Sequence, residues 1–137
     1  MLELTKAIKT RFTAASLNAT ITGGLYQGGA PIGATMPYAV FIILNAPRSA
    51  SFSTEPYTAH VQFTVIGDGA NAVGVLAEAL VAAYNVTLTL DPTSKKNTHT
   101  RVLTEPFGMK QPEGDPMKDS SVNDVWGYHC EVEYVVQ

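Results

Sequence analysis

Residues 125–136 read Val-Trp-Gly-Tyr-His-Cys-Glu-Val-Glu-Tyr-Val-Val. Trp126, Tyr128, Cys130, Val132 and Tyr134 fall on one side of an extended chain; His129, Glu131 and Glu133 fall on the other. Neighbouring strand residues point to opposite faces, so this period of two predicts a β-strand. It is the most regular β pattern in the sequence.

Upstream, residues 57–66 alternate in the same way. Val61, Phe63 and Val65 oppose His60, Gln62 and Thr64, which predicts a half-buried strand. Residues 38–45 differ: Tyr38, Val40, Ile42 and Leu44 on one side and Ala39, Phe41 and Ile43 on the other are all apolar. A strand of that kind is covered on both faces, one by helices and the other by more chain or by a neighbouring subunit. The two runs make an antiparallel pair across a Pro- and Ser-rich loop at 46–56. Further strands are expected around Leu25-Tyr26, at 86–90 and at 100–107.

Two helices complete the pattern. In residues 3–17, Leu4, Ile8, Phe12 and Ala15 repeat at helical spacing, and Glu3 suits the positive end of the helix dipole. Asn18 can take the left-handed geometry that ends a helix. Residues 71–84 place Val73, Leu76, Ala77, Leu80 and Tyr84 on one side, with Asp68 or Asn71 as cap. The expected fold is α+β: a mostly antiparallel sheet of four to six strands, with two helices packed on one face. The 137 residues suit a single domain spanning 1–137.

Composition narrows the functions available. Charged residues make up 15% of the chain, against about 25% in typical soluble domains, a hint that some surface is covered by partners. A net charge of −3 gives no strong field towards nucleic acid or anionic membrane. The longest apolar run, 39–44, is far short of the ~20 residues of a membrane helix. The first twelve residues carry Glu3, Lys6, Lys9 and Arg11, unlike a signal peptide, which points to a reducing cytoplasm.

Catalytic motifs are not found. His60, His99 and His129 lack the second ligand type at turn or helical spacing that a metal site shows. Cys130 adjoins His129, but consecutive strand residues face apart, so they make no nucleophile–base pair. Gly67-Asp68-Gly69 lacks the Lys and Ser or Thr of a phosphate loop and is read as a turn before a helix. No catalytic, cofactor-binding or metal residues are therefore assigned.

The succession Gly24-Leu25-Tyr26-Gln27, then Met36-Pro37-Tyr38-Ala39-Val40-Phe41, then the strand 59–65, the alanine-rich helix 71–83 and the closing strand through Trp126-Gly127-Tyr128 resembles the tail-completion, or tail-terminator, proteins of long-tailed bacteriophages (the minor tail protein U-like family). The resemblance is one of order and spacing over nearly the whole length. It implies a structural, non-enzymatic virion protein of the tail or neck, made in the host bacterial cytoplasm. Such proteins form a ring, usually a hexamer, on the last ring of tail-tube subunits. The ring stops tube polymerisation and offers a surface to the head–tail connector and neck proteins. The implied partners are other copies of the chain, the tail-tube protein and the connector, with no membrane, no sequence-specific nucleic acid and DNA passing through the lumen.

A closed ring needs two different sticky faces on each subunit. The candidate contacts are Phe41 and Ile43 on the 38–45 strand, Arg48 and Phe52 in the 46–56 loop, and Lys110, Glu113, Asp115 and Lys118 in a long loop at 109–124. That loop is longer than the family pattern; it lines the lumen, reaches a partner or orders on assembly. Competing functions are a head-completion or neck protein, a cellular adaptor, and a small metal- or ligand-binding domain using His60, His129 and Glu131.

Overall fold

A computed structural model describes residues 2–44, 57–90, 96–110 and 125–137. The elements run α1 (Leu2–Ala14), β1 (Leu25–Gln27), β2 (Tyr38–Leu44), β3 (Tyr57–Asp68), α2 (Ala70–Tyr84), β4 (Asn97–Lys110) and β5 (Val125–Val136). The strands form one five-stranded sheet in the order β1-β2-β3-β5-β4. All neighbours are antiparallel except β1 and β2, which run parallel. The fold is α+β, with a mostly antiparallel sheet and both helices on one face.

The main core lies between sheet and helices. Leu4, Ile8 and Phe12 of α1 and Val73, Ala77 and Leu80 of α2 bury against Phe41, Val61, Phe63, Val65, Val132 and Tyr134. Helical spacing of three and four on one side and strand spacing of two on the other bring these groups together. Tyr84 anchors the packing. Its ring stacks on Phe63 with centroids 4.5 Å apart, and its hydroxyl donates to the Ile8 carbonyl at 2.6 Å. The Tyr134 hydroxyl donates to the Tyr84 carbonyl at 2.7 Å, so both buried phenols are satisfied.

Strand β2 is covered by the helices on one face and, over its first half only, by this chain's own crossover on the other. Ala39 and Phe41 face the helices. Parallel neighbours cannot be joined by a tight turn, so the chain crosses over between β1 and β2. That crossover lays Ala30, Ala34 and Met36 over Tyr38, Val40, Ile66 and Val125, making a second small core on the side away from the helices. It stops short of Ile42, which stays 41% exposed.

Several local expectations are corrected. Helix α1 ends at Ala14, because Ser16, not Asn18, takes the left-handed conformation (φ 59°). Neither Asp68 nor Asn71 caps α2; the N-cap is Gly69 and no side-chain cap bond forms. Residues 86–90 make no strand. Their alternation is one-sided burial of Leu88 and Leu90, with no strand paired to them among the described residues. Asn97, 4% exposed, replaces that partner: Leu88 N–H donates to Asn97 Oδ1 at 2.8 Å, and Thr100 Oγ1 reaches both Asn97 Oδ1 and the Val86 carbonyl. Strand β4 extends beyond 100–107 at both ends. Register shifts between Asn97/His99, Val102/Thr104 and Thr104/Phe107 scramble its alternation, as bulges do.

Candidate interaction surface

Among the described residues, only the β1 end of the sheet face away from the helices is covered, and the register arranges its side chains in rows. Ile42 lies beside Gln62, Gln62 beside Glu131, and Glu131 beside Thr104. One row over, Leu44, His60, Glu133 and Arg101 follow in order; on the opposite flank come Val40, Thr64, His129 and Phe107. Charge gathers towards one end of this face and apolar surface towards the other.

At the charged end, His60 sits between two carboxylates. Its Nε2 lies 3.0 Å from Glu133 Oε2 and its Nδ1 3.5 Å from Glu131 Oε1. Arg101 Nη2 reaches Glu133 Oε1 at 3.1 Å. Burial alone would push the Glu133 carboxyl up. The hydrogen bond from His60 and the Arg101 charge outweigh it and hold the group below the ordinary carboxylate range. These four groups largely satisfy one another, and only Arg101 projects well into solvent, 60% exposed.

In the next row Thr64 Oγ1 and His129 Nδ1 share a hydrogen bond of 2.9 Å, and the Phe107 ring tilts over the imidazole with centroids 5.5 Å apart. Burial lowers the His129 pKa and so favours the neutral ring. Phe107 and Met109, 50% and 56% exposed, extend the apolar side of this face to the β4 edge.

The structure places the sequence candidates unevenly. Phe41 is fully buried on the helix side of β2, and Ile43 packs against the same core. The side of β2 turned to solvent carries Ile42 instead. Lys110 is exposed at the end of β4. Arg48, Phe52, Glu113, Asp115 and Lys118 lie outside the described residues. His60 and Glu131 come together, whereas His129 is engaged by Thr64 four register positions away. Cys130 faces the core on the opposite side of the sheet, where burial, and secondarily the Glu105 charge, pushes its thiol up to about 12. It is no nucleophile there. Among the described residues, no three His, Cys, Asp or Glu side chains are grouped to hold a metal ion. Arg101 and Glu133 belong to this surface and were missed as site residues. Their signal was the same-face spacing of Glu131 and Glu133, but their partners depend on cross-strand register.

The architecture thus defines an α+β protein with a five-stranded sheet, helices on one face and a partly bare opposite face. No protein-family model and no curated protein matches the chain. Among solved structures, it is similar to a chain from the virion of a native gene transfer agent particle. The TM-score is 0.68 at 17% identity, over 98% of this chain and 94% of that one. At that identity the likeness is one of fold.

Proposed function

We propose that this chain is a structural subunit of a phage-like virion, acting as a ring at the head-proximal end of the tail tube. There it ends tube polymerisation and presents the surface to which the head joins. The observation that carries this is the two-way coverage of the fold match: almost the whole of this chain corresponds to almost the whole of a virion chain. The sequence resemblance to tail-terminator proteins supplies the finer role, including a ring of six copies.

The surface chemistry supports an assembly role. The buried thiol and the mutually satisfied His60, Glu131, Glu133 and Arg101 offer no activated nucleophile, whereas Ile42, Phe107 and Met109 leave apolar area in water that a partner would cover. Electron microscopy of particles assembled without the chain tests the role. Overlong tails are expected. Tails of normal length that fail to join heads would assign the chain to the neck, and normal infective particles would overturn the virion role.

A further inference from the structure

On the helix side of the molecule, α1 and residues 87–90 enclose a groove formed by two adjoining hollows of about 440 and about 140 Å³. Its floor is apolar, from Ala7, Ala14, Leu88 and Leu90. Its rim is cationic or hydroxylic: Lys6, Lys9 and Arg11 with Thr10, Thr87 and Thr89. No acidic side chain lines it among the described residues. Arg11 gives its Nε–H to the Ala83 carbonyl at 2.9 Å, which fixes the guanidinium at the groove wall. Lys6 and Lys9 are exposed.

The sequence holds a matching strand of chemistry. Residues 111–124 contain Glu113, Asp115, Asp119 and Asp124 against the single Lys118, and Met117 and Val122 between them. That segment's net charge of −3 equals the net charge of the whole chain, so the remainder is neutral overall. We propose that the groove between α1 and residues 87–90 docks the acidic 111–124 segment of a neighbouring copy, with Lys6 and Lys9 meeting its carboxylates. This deepens the ring assembly proposed above and rests on it.

Geometry selects a neighbour's segment over the chain's own. The groove wall is tied to Asn97 and Thr100, at the start of β4, through Leu88 N–H and the Val86 carbonyl. The segment leaves from Lys110, at the other end of that strand. Asn97, which holds Leu88 of the groove, and Lys110 lie opposite Val136 and Trp126, ten steps apart on the unbulged β5, or about 33 Å at ~3.3 Å per residue. A 14-residue segment fixed at both ends reaches out by at most half its contour, about 24 Å. It therefore cannot return to its own groove. Donor at one end and acceptor at the other is a head-to-tail contact, the kind that closes into a ring when the rotation per copy is right.

The test titrates the full chain against a fluorescent peptide of residues 111–124 at low ionic strength, read by polarisation. Saturable binding is expected, weakened by salt and by at least about tenfold in K6E/K9E, whose melting curve should match the parent because both lysines are exposed. The segment variant E113K/D115K should restore ring assembly when combined with K6E/K9E. No saturable binding, or binding indifferent to K6E/K9E, overturns the docking. Rings formed by K6E/K9E at parental strength would sink the docking and leave the ring standing. Charge-dependent peptide binding by a chain that never forms rings on tail tubes would do the reverse.

Discussion

Tyr128 offers a sharp test of how the edge strand is held. Its ring lies between Gly108 of β4 and Gly74 of α2. A methyl placed on Gly108 would stand 2.5 Å from Tyr128 Cζ, 2.7 Å from Cε2 and 2.9 Å from Cε1. Carbon atoms in contact want about 3.5–4.0 Å, so the ring must move by roughly 1 Å. Gly74 of α2, where a Cβ would stand 3.2 Å from Tyr128 Cζ and its hydroxyl, leaves that side of the ring without a side chain, so the ring can shift only as far as the helix backbone allows. Gly108→Ala should therefore cost about 1–3 kcal/mol, the usual range for overpacking. For a chain of this size that lowers Tm by roughly 3–5 °C per kcal/mol. With the ring removed, the sign should change. Alanine loses less backbone freedom than glycine on folding, so in a Tyr128→Ala background the same substitution should be neutral or stabilise by up to about 1 kcal/mol. Thermal melts of the four proteins give the double-mutant cycle. An equal cost in both backgrounds would refute the wedged ring.

Asn97→Ala should cost about 1–3 kcal/mol by leaving the Leu88 N–H unpaired, read as a fall in the denaturant midpoint; an unchanged midpoint would mean water replaces the side chain. Cys130 should resist thiol reagents in the folded protein and react only as the chain opens; prompt stoichiometric labelling would contradict its burial. Acid should weaken the fold in two windows. His129 has a folded pKa below 6.5, so the unfolded chain takes up the proton first and stability falls as pH drops from 6.5 towards that lowered value. Glu133 has a folded pKa below 4.5, so its contribution is present above 4.5 and is lost as pH falls through the lowered value. Denaturant melts against pH should lose the upper window in His129→Gln and shrink the lower one in Glu133→Gln, where Glu3, also held down to about 2, still contributes.

What could be read from the sequence was whatever a single strand or helix reports about itself. β5 was legible end to end because its two faces differ in polarity and no bulge interrupts it. β2 announced two-sided burial, but not that the second cover was the chain's own 28–37 crossover, since its alanines and Met36 carry no period. Residues 86–90 misled because alternation records one-sided burial, and a segment bonded through Asn97 is buried on one side just as a strand is. The same limit applied to the surface. Glu131 and Glu133 were visibly on one face, yet the pairing of His60 with Glu133 and of Arg101 with Glu133 is set by register across β3, β5 and β4. The choice of Phe41 over Ile42 as the outward side of β2 turned on which face the helices take, and the strand's apolar faces do not say.

Both edges of the sheet are poorly suited to pairing with another copy. β1 is three residues long, and β4 is broken by three register shifts and carries Pro106, which has no N–H to donate. A contact between unlike surfaces, a cationic groove on one copy and an acidic segment on the next, can close after a fixed number of copies. Exposed charge pairs are each worth at most about 1 kcal/mol and are screened by salt, so one such contact saturates only at high peptide concentration and low salt and leaves the dilute free chain monomeric. A copy seated on a tube end and held by two neighbours has three contacts at once, and the later ones form at high effective concentration. On the proposed function, weakness of the single contact is what confines the ring to the tube end.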